Sequence, residues 1–201
     1  MDLYSALLFV HVLSAMGLFG VLAVEAVVFV SLRRAGTLDE GRMWMGFLRW
    51  TGRLGPMAMV PLLVAGIWMM ALRWDAEPWI VAALVGVAAM VVLAGAITRR
   101  AMRRFAQELA SRAELGRGAI AALVDAGPLA LSLWLRVALA IGILALMTMK
   151  PGVLGSFATM ALALALGVAV GLRSRRSKRE PARTKRAASR TAPAYRADAG
   201  S

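Results

Sequence analysis

Residues 3–32 read LYSALLFVHVLSAMGLFGVLAVEAVVFVSL, an apolar run in which Glu25 is the only charged residue and His11 is the only histidine of the whole chain. About 20 consecutive apolar residues are enough for a helix to cross the hydrocarbon core of a bilayer. A helix is the expected form, because backbone polar groups surrounded by lipid must be satisfied within their own segment. The run therefore predicts a transmembrane helix that carries two polar side chains into the membrane.

Four further apolar runs follow, at residues 54–72, 79–98, 129–149 and 153–172. Hydrophobic residues make up 60% of the 201 residues and the mean hydropathy is +0.70, well above the usage of soluble proteins. The alternating pattern of a transmembrane barrel is missing. The sequence predicts an all-α, polytopic membrane bundle of five transmembrane helices over residues 1–172. We expect the first helix to be retained, because it lacks the basic leading segment of a signal peptide.

Basic residues are concentrated in three segments, at 33–53, 99–128 and 173–201. The remaining connections carry only Arg73 and Lys150 as positive charges. Lysine and arginine are enriched in cytoplasmic connections, so we predict a membrane protein with its N-terminus outside and its C-terminus in the cytoplasm. The tail at 173–201 follows a span directly and has no recognition motif. It is expected to be disordered and to contact anionic lipid headgroups rather than nucleic acid.

The connections carry their own local signals. Thr37 and Glu40 fit a capping box at the start of an interfacial amphipathic helix that leads into the second span. Pro61 is expected to kink that span or to free one of its carbonyl groups. Residues 99–109 are predicted to continue the third span as a basic helix, and residues 116–127 are predicted to form a return loop.

Gly167 and Gly171 form a GxxxG pattern in the fifth span. Small residues at this spacing allow two transmembrane helices to approach closely. We interpret the pattern as packing within one chain, and a seam between two copies of the chain, giving a homo-oligomer, is the alternative.

The polar residues of the spans have a regular spacing. His11 and Glu25 are fourteen residues apart, and so are Arg136 and Lys150. Fourteen residues are close to four helical turns, so each pair lies on nearly one stripe about 21 Å long. Spans one and four are antiparallel in the predicted topology, so a Glu25–Arg136 pair would bring His11 level with Lys150. The ion pair either sets the packing of the two spans or forms part of an anion, proton or substrate site.

His11 has three interpretations. It is a packed histidine bonded to a backbone carbonyl, or an axial ligand to haem b with Met147 as a second ligand. The third interpretation is a soft Cu(I) site, because thioether sulfur suits that ion. That site would combine His11 with Met69, Met70, Met147 and Met149.

Catalytic motifs are missing from the chain. It contains no cysteine, which excludes disulfides, thiolate nucleophiles and iron–sulfur clusters. It also contains no nucleophile elbow, phosphate-binding loop or metalloprotease motif. An enzymatic activity would therefore have to come from a bound cofactor, and a non-enzymatic role is favoured.

Several short motifs resemble those of known membrane proteins. They are Leu8–Gly17 (LFVHVLSAMG), residues 53–56 (RLGP), residues 65–68 (AGIW), and Arg136 followed by residues 147–152 (MTMKPG). Together they resemble an uncharacterised family of bacterial integral membrane proteins related to the copper-resistance D-type membrane proteins. The resemblance covers residues 1–152 and implies the fold and a location in the bacterial cytoplasmic membrane. It also suggests a copper permease or copper-resistance accessory protein.

A more distant resemblance is to the HemJ-type protoporphyrinogen oxidases, which are small helical membrane proteins with a histidine in the first span. This resemblance implies that His11 is a haem ligand. It also implies a haem-dependent membrane oxidoreductase as an alternative function.

Overall fold

The protein is all-helical in the part that the structure, a computed structural model, describes, namely residues 2–111, 119–126 and 128–176. The helices are α1 (Leu3–Arg34), α2 (Leu38–Arg73), α3 (Pro78–Val92), a π-helical segment (Leu93–Thr98), α4 (Arg99–Ala110), α5 (Ala119–Ala126), α6 (Leu129–Met149) and α7 (Val153–Arg176). Five helices are long and apolar enough to cross a membrane, with α3, the π-helical segment and most of α4 forming the third. The predicted five-span all-α bundle is therefore confirmed.

The five spans form an open arrangement around a groove. α1 packs along α2, α6 packs along α7, and the two hairpins meet where α1 contacts α6. α3 packs on the other side of α6, whereas α2 and α3 make little direct contact. The order α2–α1–α6–α3 therefore leaves a groove between α2 and α3, with α1 and α6 as its floor.

Aromatic residues close one end of the groove, which we call the aromatic end and define by Tyr4, Trp74 and Trp79. The indole Nε1 of Trp74 donates to the Tyr4 hydroxyl at 3.3 Å, and Trp74 packs edge-to-face on Trp79 with ring centroids 5.5 Å apart. Arg73 lies over the Tyr4 ring, 4.7 Å from its centroid. Aromatic rings and flanking cations of this kind mark a membrane interface.

The opposite end, which we call the basic end, is defined by α4, α5 and the first turns of α2. Val28 and Leu32 of α1 pack there with Met45 of α2, Phe105 of α4 and Ile120 of α5. The predicted helical extension of the third span is confirmed by α4. The predicted return loop over 116–127 is wrong for its larger part, because residues Ala119–Ala126 form α5. Local apolar residues bury this short helix against α1.

α2 is one continuous helix of 36 residues, so the interfacial helix and the second span are not separate. The Thr37 hydroxyl accepts the Glu40 N–H at 3.2 Å, which confirms the predicted N-cap. The Glu40 carboxylate reaches back one residue further than expected and accepts the Gly36 N–H at 2.7 Å. α2 also contains Pro56 and Pro61, and it remains helical across both of them.

Glycines bring α6 and α7 into close contact. A Cβ atom on Gly167 would lie 3.0 Å from the Ala138 Cβ and 3.1 Å from the Leu135 Cα. A Cβ on Gly171 would lie 3.2 Å from the Leu131 Cα. The GxxxG pattern is therefore used within the chain. α7 runs to Arg176, beyond the predicted boundary at 172, and the rest of the predicted tail lies outside the described residues.

Candidate functional site

Glu25 and Arg136 face each other where α1 packs against α6. The Arg136 Nη2 lies 2.7 Å from the Glu25 Oε2, and the two side chains are only 9% and 10% exposed. The contact is an ion pair, and among the described residues that carboxylate oxygen has no hydrogen-bond partner. Helical spacing predicted this pair, and the structure brings the two residues together. Each charge depends on the other, because a lone buried charge is strongly unfavourable.

A hydrogen-bond network connects Arg136 to the π-helical segment. The Arg136 Nε donates to the Ser132 carbonyl at 3.4 Å, and the Ser132 hydroxyl donates to the Leu93 carbonyl at 3.3 Å. The Thr98 hydroxyl lies 3.3 Å from the same carbonyl and 2.7 Å from the Ser132 hydroxyl, and its single hydrogen serves one of these two contacts. π-Helical turns occur frequently at functional sites. Here the two hydroxyls and the Leu93 carbonyl link α6 to the third span.

The ion pair lines a cavity of about 490 Å³, which we call the Glu25 cavity. Its walls are mainly apolar and come from α1, α2, the third span and α6. The charged lining residues are Glu25, Arg136 and Arg99, and Thr98 adds a hydroxyl. Because Glu25 and Arg136 balance each other, Arg99 gives the lining a net positive charge.

A second cavity of about 600 Å³ lies in the half of the groove toward the aromatic end, and we call it the His11 cavity. Its lining is apolar except for His11, and it includes Met70 of α2 and Met147 of α6. Leu18, Leu63 and Met90 line both cavities and separate them. The groove therefore contains two neighbouring compartments with different polar groups.

The His11 imidazole is held against α2. Its Nδ1 lies 3.0 Å from the Leu62 carbonyl oxygen. A carbonyl oxygen can only accept, so Nδ1 carries the proton in a neutral ring and Nε2 keeps a lone pair. Gly66 makes this position possible, since a Cβ there would lie 3.0 Å from the His11 Cε1 and 3.2 Å from Nδ1. The carbonyl thus fixes both the tautomer and the orientation of the ring, as the supporting groups of metal-bound histidines do.

The methionines predicted for copper do not come together as a set. Met70 and Met147 line the His11 cavity, whereas Met69 and Met149 do not. Met149 is 76% exposed, on the outer surface of α6. Among the described residues no group of three or more histidine, cysteine, aspartate or glutamate side chains could hold a metal ion. Of the five residues predicted for copper, His11, Met70 and Met147 line one cavity.

The predicted register brings Lys150 level with His11, and the structure places the Lys150 side chain against the aromatic end. Its ammonium group lies 4.4 Å from the centroid of the Trp74 ring and 5.8 Å from that of Trp79. Lys150 ends α6 in the left-handed conformation, with φ 47° and ψ 52°. This backbone turn directs its side chain toward the tryptophans of the aromatic end, while His11 is bound to α2.

Comparison of the chain with protein-family models, curated proteins and solved structures gives no match. The site therefore has to be interpreted from its own geometry.

Sequence reasoning missed Gly66, Ser132 and the π-helical segment. Gly66 belongs to the quoted AGIW motif, but nothing in the sequence indicates that His11 packs on it. Ser132 lies one helical turn before Arg136, and that spacing is the one signal that could have identified it.

Proposed function

We propose that this multi-pass membrane protein binds haem b in the His11 cavity, with His11 Nε2 as the ligand to the iron. The observation that carries the proposal is the Leu62 carbonyl bond, which leaves Nε2 free to coordinate a metal. The residues present fit such a group. Apolar walls suit a porphyrin face, and the Met147 thioether lines the same cavity. Arg73 and Lys150 lie outside the lining, over the Tyr4 and Trp74 rings of the aromatic end.

The residues around His11 have two roles in this proposal, which are to hold the imidazole and to exclude water. Leu62 and Gly66 hold the imidazole in one tautomer and one orientation before the ligand binds. The surrounding aliphatic side chains exclude water, which favours a low-dielectric site. A bound haem would supply one-electron chemistry. Oxidoreductase activity of the HemJ type would be a further property of the same site, with its substrate still to be identified.

Absorption spectra of the detergent-purified protein, expressed with ample haem supply, test this proposal. We expect a Soret band in the native protein and its complete loss in His11→Ala. Gly66→Ala should weaken the band strongly, because the added methyl group displaces the imidazole. Gly20→Ala is the matched control, since a Cβ there meets no atom within 4 Å. Met147→Leu should shift the band if sulfur is the second ligand.

Two results would contradict haem binding at His11. One is a native protein without a Soret band despite correct folding. The other is a band of equal intensity in His11→Ala. Retention of Cu(I) by the native protein in place of haem would favour the copper alternative at His11, Met70 and Met147.

We also propose that the basic end faces the cytoplasm of a bacterial cell. The helix ends at Arg33–Arg34 and the arginine-rich α4 lie together at that end, which agrees with the positive-inside rule. Reporters fused at position 75 and at the C-terminus should report opposite sides of the membrane, with position 75 outside. Reporters on the same side would contradict the three spans between these positions, and a reporter at position 75 inside with the C-terminus outside would contradict the orientation.

A further inference from the structure

The Glu25 cavity is independent of the proposed haem site and has features of its own. Its walls are apolar along most of their length, and polar groups are confined to the ion pair, Thr98 and Arg99. Arg99 directly follows the π-helical segment, is exposed, and has no carboxylate partner among the described residues. The cavity thus combines an apolar interior with an unpaired cation toward the basic end.

Three glycines widen this cavity. Gly52 and Gly55 lie on α2, Gly95 lies on the π-helical segment, and all three line the cavity. A Cβ atom at any of them would meet no atom within 4 Å. Glycines in membrane helices usually serve close helix contact, as Gly167 does here. These three leave space instead, on the two helices that border the opening of the groove.

The position of the opening identifies the direction from which a ligand can reach the cavity. α2 makes little direct contact with α3 or with the π-helical segment, so the groove is open sideways between them. Toward the basic end, the cavity is lined by Leu32, Leu48, Leu129 and Met102. The sideways opening gives the surrounding lipid a route into the cavity.

We propose that the Glu25 cavity is a binding site for one anionic phospholipid of the surrounding bilayer. One acyl chain lies in the cavity between α2 and the π-helical segment, and the phosphate contacts Arg99. The Glu25 carboxylate also faces this cavity, but Arg136 neutralises it, so the lining keeps a net positive charge. An arginine near the membrane surface attracts anionic headgroups. The site is thus a discrete one, distinct from general attraction of lipid to the basic end.

Native mass spectrometry of the full-length protein tests this site. The protein is delipidated in non-ionic detergent and incubated with equal amounts of phosphatidylglycerol and phosphatidylcholine that carry the same acyl chains. We expect one retained phosphatidylglycerol per chain. Arg99→Gln should lower the ratio of phosphatidylglycerol to phosphatidylcholine about fivefold. Arg100→Gln is the matched control, because Arg100 is equally exposed but does not line the cavity.

Variants that fill the Glu25 cavity test whether a lipid acyl chain binds inside it. Gly52→Leu and Gly95→Leu should each reduce lipid retention about tenfold or more, because a filled interior has no room for the chain. Gly20→Leu should leave retention unchanged, since Gly20 is in open space and outside the cavity. Circular dichroism and gel filtration confirm folding. If one of the two cavity-filling variants misfolds, the other still tests the effect on lipid retention, because it lies on the opposite side of the cavity.

Three outcomes would overturn the proposal. The first is equal retention of both lipids by the native protein, and the second is full retention by a folded cavity-filling variant. The third is displacement of phosphatidylglycerol by an equal amount of oleate, which would identify a free fatty acid as the occupant. None of these outcomes depends on whether haem binds at His11.

Discussion

Glu25→Ala is expected to destabilise the protein by about 3–5 kcal/mol, because it leaves the Arg136 guanidinium buried without its counter-charge. Both side chains are at most 10% exposed and their charged atoms are 2.7 Å apart. The hydrogen bond from Arg136 to the Ser132 carbonyl is not sufficient compensation, since it leaves the charge uncompensated. The measurement is the free energy of unfolding in mixed detergent micelles, followed by circular dichroism.

A double variant distinguishes the ion pair from simple loss of packing. Glu25→Ala combined with Arg136→Met removes both charges, and we expect it to be clearly more stable than Glu25→Ala alone. The exposed Arg100→Met serves as the control for removing an arginine, and its effect should stay within about 0.5 kcal/mol. Equal losses in the single and double variants would mean that the two charges do not stabilise each other.

Gly167→Leu is expected to cost about 3 kcal/mol or more, because the side chain would have to displace the backbone of α6. A Cβ at this position would lie 3.1 Å from the Leu135 Cα and 3.0 Å from the Ala138 Cβ. A backbone atom cannot rotate away as a side chain can, so α7 must separate from α6. Unfolding in mixed micelles measures the effect.

Gly20→Leu is the control for Gly167→Leu, since its Cβ would meet no atom within 4 Å. We expect it to change stability by no more than about 0.5 kcal/mol. Light scattering of both variants distinguishes packing of the GxxxG pattern within one chain from a seam between two copies. A Gly167→Leu protein of native stability that differs from the native protein only in oligomeric state would contradict intramolecular packing and support a seam between two copies.

The number and order of the spans follow from the sequence, because hydrophobicity over about 20 residues is a local property. The predicted limits of the fourth span, 129–149, agree with α6. The Glu25–Arg136 contact can also be predicted from the sequence, since helical geometry converts a spacing of fourteen residues into a distance along the helix axis. A buried charge needs a partner, and few charged residues were available within the spans.

The local sequence was less informative where neighbouring segments decide the conformation. Residues 119–126 lie between Gly118 and Gly127, and this pattern favours a loop, but contact with α1 stabilises them as α5. The π-helical segment at Leu93–Thr98 also has no distinctive local pattern. Its Leu93 carbonyl is satisfied by the Ser132 hydroxyl of α6, a partner 39 residues away in sequence.

Hydrophobicity and charge along the sequence are enough to predict the class of protein, its five helices and the pair of opposite charges within them. What surrounds each residue depends on how the helices pack. Gly167 and Gly95 are the same residue in similar apolar helices, yet one meets a helix backbone and the other borders an open cavity. Likewise, the interpretation of His11 as a packed histidine bonded to a backbone carbonyl agrees with the structure, but only the structure identifies Leu62 as the partner. The physical reason is that hydrophobicity and helix length are summed along the chain, whereas cavities and contacts depend on how helices distant in sequence pack together.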